Sequence, residues 1–500
     1  MELTANTCQQ ARLSRDTRFD GLFFTGVITT GIFCRPICSA VAPKEQNVTY
    51  YPSAAAAMNA GFRPCLRCRP ETAPQSAAWK GIESVAAKIL RHINDGYLVD
   101  CSIADLAEKV GISERYLRDL CQRYAGASPS QLELARKSLL AKQLLFDSSL
   151  SIADVAFAAG YNSVRRFNEH WKSQFNKAPS LMRRNFKHSK AMATTEGTLE
   201  QESWIHINIP VAKGFDANSV FSFLATRIIA GSEALIKSED SRVICYRRLL
   251  SFDNLLLPIS VSYDSSKPCL LLSCEAQGLK LLPRIIQLVK RVFDVESHGH
   301  IIWQHLAKTK EFEQQLKLIA ASGQSDIRLP GAFDPFEAAM RAIVGQQVSV
   351  KAACTLLTRI TARCGKSVEN NSWGLSQALP MAQDILDYDL SGLGLTSARI
   401  NSLKSMASLK IEEPEVFSLD YDSELRQQKL LAIKGIGPWT VSYLEMRAFS
   451  NPDAFPAGDL GVRIALEKDG ERPTEKQVRD MSVSWAPWRA YATILLWKRL

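Results

Sequence analysis

Four cysteines stand in two close pairs near the start of the chain, Cys34 and Cys38 in "GIFCRPICSA" and Cys65 and Cys68 in "GFRPCLRCRP". Three residues separate the first pair, two the second, and 26 lie between the pairs. Thiols spaced in this way either form disulfides or share a metal. The opening residues "MELTANTCQQARLSRD" contain no apolar signal core. A cytoplasmic address is therefore expected, and a disulfide framework is not. Two close pairs separated by a loop are the pattern of a tetrahedral thiolate zinc site, and four soft ligands favour zinc over harder metals. Eight further cysteines are scattered singly, as small buried hydrophobes are.

The arginines beside these thiols matter as much as the thiols. Arg35, Arg63, Arg67 and Arg69 flank the ligands, where a phosphate can be held. Residues 1–190 carry 26 lysines and arginines against 16 acidic residues, whereas residues 191–500 carry 35 of each. The whole surplus of the +10 chain thus lies in its first part, which points to a polyanion, most often nucleic acid. "RFDGLFFTGVITTGIFCRPIC" with "NVTYY" and "AAAAMNAGFRPCLRC" closely resembles the N-terminal domain of the bacterial Ada proteins. The resemblance implies that Cys34 takes a methyl group irreversibly from a methylphosphotriester in DNA. It implies too that Cys38, Cys65 and Cys68 complete the zinc site; Arg35 and Arg67, by their place beside the ligands, are candidate DNA contacts.

Further along, "SIADLAEKVGISERYLRDLCQRY" begins at Ser102 and "SIADVAFAAGYNSVRRFNEHWKSQF" at Ser151. In each, an alanine precedes a glycine by four residues, Ala107 before Gly111 and Ala156 before Gly160. A small residue lets two helices approach and the glycine makes the turn, so the spacing predicts two helix-turn-helix units. Arg115 and Arg118 fall on the second helix of the first unit, and Arg165, Arg166 and Asn168 on that of the second, each helix being a candidate for a major groove. The pair is similar to the AraC-type DNA-binding domain, which the Ada family joins to its zinc domain. "HSKAMATTEGTLEQES" (188–203) then reads as a linker.

The second half opens with strand-like runs, "WIHINIPV", "SRVICYRRL", "NLLLPISVSY" and "PCLLLSCEA", with a helical pattern in "NSVFSFLATRIIA". A small antiparallel sheet with a helix packed on it is expected, followed by an all-helical region. Near the end, "LLAIKGIGPWTVSYLEMRA" sets Gly435 and Gly437 at a tight turn between two apolar helical stretches. Such a hairpin offers backbone N–H groups to a DNA phosphate. "LPGAFDPFEAAMRAIVGQQVSV", this hairpin, "DAFPAGDLGVR" and "WAPWRAYATILLWKRL" follow in order and closely resemble the helix-hairpin-helix DNA glycosylases of the 3-methyladenine glycosylase II (AlkA) type.

That resemblance implies a catalytic carboxylate at Asp459 and a base pocket of Trp439, Tyr443 and Trp497, with Phe223 as a fourth aromatic. The chemistry fits these residue types. A flipped alkylated purine is a cationic leaving group that favours aromatic faces, and a carboxylate beside the sugar stabilises an oxocarbenium-like transition state. Glycosylases that also nick the strand carry a lysine where this chain has Trp439, so no lyase activity is expected. No cysteine follows Cys364, so the iron–sulfur loop of some relatives is absent from the sequence. Three positions depart from the family. Lys434 replaces a proline and adds a charge at the hairpin, Gln347 stands at an otherwise apolar wedge, and Leu460 replaces an aromatic beside Asp459.

The sequence therefore predicts a multidomain chain. A small zinc-bound α/β domain covers 1–75, and an all-α tandem helix-turn-helix domain covers 79–187. After the linker come a small α+β antiparallel-sheet domain at 204–320 and an all-α helix-hairpin-helix glycosylase domain at 321–500. Expected activities are methyl transfer to Cys34, methylation-dependent transcription activation and excision of alkylated bases such as 3-methyladenine. No Pro-Cys-His-Arg motif occurs, so O6-methylguanine repair is not expected. Expected partners are alkylated and promoter double-stranded DNA and RNA polymerase, with no membrane and a monomeric chain. The competing reading is a regulator whose glycosylase domain serves only as a DNA clamp.

Overall fold

The computed structural model describes residues 4–16, 19–68, 70, 84–148, 150–190, 204–212, 214–238, 243–252, 255–266, 269–321, 326–368, 373–419 and 421–499. Contacts divide the chain into two compact units, residues 1–210 with 273–287 and residues 211–272 with 288–500.

The first unit begins with helix α1 (Ala5–Leu13) and strands β1 (Phe24–Val27), β2 (Ile32–Cys34) and β3 (Val48–Tyr51), then helix α2 (Ala54–Asn59) and strand β4 (Arg63–Pro64). The strands lie in the order β3-β1-β2-β4, with β1 antiparallel to β2 and β3 and β2 parallel to β4. The parallel pair decides the metal centre. It sets Phe33 opposite Pro64, and the Cys65 N–H donates to the Phe33 carbonyl at 3.0 Å. Both strands therefore end at the same edge, and each runs directly into a cysteine loop. Phe33, fully buried, anchors the sheet below them.

Helices α3 (Ser84–Asn94), α4 (Ile103–Val110), α5 (Glu114–Ala125), α6 (Pro129–Asp147), α7 (Ile152–Ala159), α8 (Val164–Phe175) and α9 (Pro179–Lys190) follow. The repeat seen in sequence is a repeat in structure. Ser102 and Ser151 cap α4 and α7, Ala107 and Ala156 are buried, and Gly111 and Gly160 take φ of 73° and 94°, a region where an L side chain is strained. The second turn is one residue longer: one residue separates Gly111 from the Ser113 cap of α5, and two separate Gly160 from the Ser163 cap of α8. Ala127 and Ala135, at and beside α6, share a core with Phe24, Phe33, Ala57 and Met58 of the zinc fold. Helix α9 runs to Lys190, three residues into the stretch expected to be linker; 191–203, Trp79 and Arg69 lie outside the described residues.

Strand β5 (Trp204–Pro210) groups with the first unit. The second unit holds α10 (Ala217–Ala225) and strands β6 (Glu233–Lys237), β7 (Val243–Phe252), β8 (Leu255–Asp264) and the first residues of β9 (Cys269–Glu275). Strands β9, β8, β7 and β6 lie side by side in that order, and β6–β7–β8 is an antiparallel meander. After α11 (Leu282–Val292) the chain is helical: α12 (Gly299–Leu306), α13 (Glu313–Ala321), α14 (Pro335–Val344), α15 (Val350–Cys364), α16 (Ala382–Asp387), α17 (Ser397–Glu412), α18 (Ser423–Leu431), α19 (Pro438–Arg447), α20 (Leu460–Ala465), α21 (Glu475–Met481) and α22 (Arg489–Trp497). Among the described residues, no helix is long and apolar enough to cross a membrane. Two helical cores form here, one around α14, α17 and α19 and one around α12, α20 and α22. Tyr443 of α19 packs against both, so the face of α19 that carries it lies at the seam between them.

Candidate metal centre and candidate active site

The sulfurs of Cys34, Cys38, Cys65 and Cys68 all lie within 4.8 Å of one another. A tetrahedron of thiolates at the usual zinc distance has edges of about 3.8 Å, so the donor set fits zinc in number, type and size. Two backbone donors support the sulfurs, Arg35 N–H to Cys68 Sγ at 3.3 Å and Arg67 N–H to Cys65 Sγ at 3.4 Å. Behind them, buried Lys142 of α6 donates to the Cys65 carbonyl at 3.0 Å. The chain binds zinc through this cluster.

The arginines around the site divide. Arg67 is exposed and sits on the ligand loop. Arg35 departs from the expectation. Its Nε donates to Asp20 Oδ1 at 2.7 Å, its Nη2 contacts Asp20 Oδ2, and its Nη1 reaches the Cys68 carbonyl at 3.2 Å. Its guanidinium is thus a brace between Asp20 and the second cysteine loop, in a geometry that sequence spacing does not reveal. In the helix-turn-helix pair, Arg115, Arg166 and Asn168 are exposed on α5 and α8. Arg118 and Arg165 are exposed too, each paired one turn away, with Glu114 at 2.6 Å and Glu169 at 2.9 Å. Such exposed pairs are weak, so a phosphate can compete for either arginine.

In the second unit, Asp459 caps α20, and its Oδ1 accepts from Val462 N–H at 2.9 Å. Two indoles complete its surroundings: Trp439 Nε1 donates to Oδ2 at 2.8 Å and Trp497 Nε1 to Oδ1 at 2.9 Å. Three donors therefore fix a half-buried carboxylate and leave part of its acceptor capacity open. Trp439 stacks on Tyr443 at 5.5 Å between centroids and 23° between planes, and Tyr443 meets Trp497 at 6.3 Å. The three expected aromatics are thus brought together around Asp459, but the tryptophans act through their N–H edges as well as their faces. Phe223 departs from the expectation. The guanidinium carbons of Arg227 and Arg447 lie 3.6 and 4.1 Å from its ring centroid, so its face serves arginine. Neither arginine was singled out in the sequence, although Arg447 follows Trp439 and Tyr443 at four-residue steps and could have been found by that spacing.

The hairpin behaves as its sequence predicts. Gly435 takes φ of 90°, and a Cβ there would meet Ser402 Oγ at 2.3 Å. Gly437 is the N-cap of α19 with open space around it and no side-chain cap, and Lys434 is exposed. Ser402 Oγ donates to the Lys434 carbonyl at 2.8 Å, and Gln346 Nε2 to the Gly435 carbonyl at 2.9 Å. The latter bond ties the hairpin to the loop bearing Gln347, which is exposed at φ of 55°. Leu460, next to Asp459, is 57% exposed.

Four family profiles match in order: "Metal binding domain of Ada" over 7–71, "Helix-turn-helix domain" over 106–185, "AlkA N-terminal domain" over 206–334 and "HhH-GPD superfamily base excision DNA repair protein" over 340–487. A Mycobacterium tuberculosis protein named "Probable bifunctional transcriptional activator/DNA repair enzyme AlkA" is 32% identical over 495 residues, which is 99% of this chain and 96% of the relative. "DNA-3-methyladenine glycosylase 2" of Escherichia coli is 25% identical over 284 residues, covering 57% of this chain and 93% of that protein. The "Bifunctional transcriptional activator/DNA repair enzyme Ada" of Escherichia coli is 33% identical over 172 residues, 33% of this chain and 47% of that protein. With one relative matched over nearly its whole length and the four profiles in sequence, the chain belongs to the family of bifunctional transcriptional activator/DNA repair proteins in which an Ada-type zinc and helix-turn-helix half precedes an AlkA-type HhH-GPD half.

Proposed function

We propose that this chain repairs alkylated DNA at two chemically distinct centres and reports the damage through its helix-turn-helix pair. The observation that carries the reading is the presence, in one chain, of a four-thiolate cluster and a carboxylate held by two indole N–H groups. At the first centre the Cys34 sulfur attacks the methyl carbon of a methylphosphotriester. A sulfur–carbon bond forms, the carbon–oxygen bond breaks, and the electron pair leaves on the phosphodiester oxygen. Zinc held by Cys34, Cys38, Cys65 and Cys68 would keep the attacking sulfur ionised at neutral pH. Cys34, Cys38 and Cys68 are each partly exposed residues, whereas Cys65 is buried. The product is a thioether, so each molecule acts once.

At the second centre the hairpin and the Gln347 loop hold the strand while an alkylated base is extruded against Tyr443. Asp459 then faces the sugar and stabilises positive charge as the N-glycosidic bond breaks, and water completes the hydrolysis. Trp439 occupies the place of a lyase lysine and is engaged with Asp459, which supports hydrolysis without strand nicking.

Methyl transfer also supplies the signal. With Zn²⁺ held by all four thiolates the site would carry a net charge of about −2 towards a phosphate backbone, and methylation of Cys34 would reduce it to about −1. Removing a charge a few ångströms from a phosphate is worth on the order of 1–4 kcal/mol, so methylated protein binds its promoter more tightly. RNA polymerase is the partner that such an activator requires, and we assign the chain as a cytoplasmic, nucleoid-associated monomer.

One digest of methylated DNA tests the reading. Free 3-methyladenine and a single methyl added to Cys34 are expected by mass spectrometry. Methyl transfer without base release would leave the second half a DNA clamp, and base release without methyl transfer would remove Cys34 from its role.

A further inference from the structure

Trp439, Tyr443 and Arg447 lie at i, i+4 and i+8 of α19, which places them on one face of the helix. The first two belong to the Asp459 site, whereas Arg447 has no part in the chemistry above. It is only 6% exposed. Its Nη2 donates to the Gly331 carbonyl at 3.2 Å and its guanidinium lies against the Tyr443 phenol, while Nε and Nη1 are buried and make no contact of good hydrogen-bond geometry. Arg447 lines a cavity together with Tyr443, Phe223 and Arg227. Arg248 and Arg341 line it too, but they are paired with Glu337 and Glu233. Arg227 and Arg447 have no such carboxylate among the described residues. Burial accordingly pushes Arg447 down to about 10 and also lowers Arg227. Burial alone would raise the Tyr443 phenol, but the two guanidinium groups beside it bring it below its ordinary value.

A buried donor without a partner is expensive, and a cavity wall that carries two unneutralised guanidinium groups is suited to an acceptor. The cavity holds about 40 Å³, room for a small acceptor group rather than a whole base, and Tyr443, whose ring meets Trp439 and Trp497, is shared between it and the Asp459 site. The face of Phe223 is already covered by arginine, so it offers little to a cationic ring.

We propose that Arg447, with Arg227 beside it, is a specificity determinant of the base pocket: it donates hydrogen bonds to an exocyclic carbonyl of the extruded base, so that damaged bases bearing a carbonyl are favoured over those bearing only an amine. This deepens the glycosylase reading and rests on it. A site built to hydrogen-bond a substrate group rejects analogues lacking it far more strongly than an apolar pocket does.

The test uses the full chain loaded with zinc and one preparation of methylated duplex DNA. That substrate offers 7-methylguanine, which has a carbonyl, and 3-methyladenine, which has an amine. The readout is the ratio of the two released bases, so a general loss of activity cancels. Arg447→Met is expected to lower the ratio of 7-methylguanine to 3-methyladenine by at least about tenfold, the scale of a lost hydrogen bond from a charged donor. Arg447→Lys, which keeps the charge and one donor direction, is expected to recover part of it. An unchanged ratio in Arg447→Met overturns the proposal. If that variant releases neither base, Arg227→Met is read in the same way, since it leaves the Gly331 anchor intact; a lowered ratio supports the proposal and an unchanged one overturns it. Wild-type protein that releases neither base instead overturns the glycosylase reading, and the pocket inference falls with it.

Discussion

The zinc centre and the Asp459 centre hold reactive groups by opposite means. In the first, four sulfurs lie within 4.8 Å of one another, and as thiolates they would carry like charge that a cation offsets. In the second, a single carboxylate is held by three N–H donors and needs no metal. The difference follows the chemistry proposed for each centre. A centre that is consumed in one turnover can commit its nucleophile to a metal, because nothing has to be regenerated. A centre that turns over must offer the same charge to each substrate, and fixed dipoles provide that without reorganisation. The two also differ in how the chain builds them. The thiolates fall within Cys34–Cys68 and are joined by one parallel strand pair, whereas the carboxylate draws on α19, α20 and α22 across two hydrophobic cores.

The comparison breaks most sharply at Cys34. In Cys34→Ser the methyl acceptor is gone, so mass gain on methylated DNA is expected to vanish while base release by the second unit persists. Intact-protein mass spectrometry and base release from the same digest check both, and loss of base release would show that the centres are not independent.

Asp459→Asn is the converse. The amide lacks the stabilising charge, and release of 3-methyladenine should fall by at least about a hundredfold, the scale of comparable electrostatic deletions. Methyl transfer to Cys34 should continue and binding to an abasic duplex should be largely kept. Near-normal release under single-turnover conditions removes Asp459 from its assigned role.

A smaller effect sharpens the claim that dipoles fix the carboxylate. Trp497→Phe removes one N–H donor and keeps most of the ring. A hydrogen bond to a charged group contributes about 1.5–3 kcal/mol, so release should slow by roughly tenfold or more, still less than in Asp459→Asn. Equal rates in Trp497→Phe and wild type would reduce the indole to packing.

The smallest effect concerns support of the zinc loops. Lys142→Met leaves the Cys65 carbonyl without its buried donor, at a cost of about 1–3 kcal/mol. Zinc release to a chelator should quicken, with the helix-turn-helix melting earlier, because α6 and the zinc fold share a core. Unchanged release kinetics would make Lys142 incidental.

Much of this was legible before the structure. Paired cysteines, a doubled Ser-Ile-Ala-Asp run and a Gly-Ile-Gly turn are local patterns, and each produced the expected local geometry. The expectations that slipped involved partners distant in sequence. Its place beside Cys34 makes Arg35 a candidate phosphate contact, but folding brings Asp20 to it. Phe223 was read as an open aromatic face, but Arg447, more than two hundred residues later, covers it.

By itself, then, the sequence determined the identity and order of the domains, the metal and the turn chemistry. All of these depend on residue type and short spacing, through helix and strand periodicity, capping and ligand softness. The tertiary structure alone decided which arginines are spent on internal braces and which are left without a carboxylate, and that both indole N–H groups converge on Asp459. Charge pairing and hydrogen-bond satisfaction depend on distances of about 3 Å between atoms that the chain separates by tens to hundreds of residues, and only packing sets those distances.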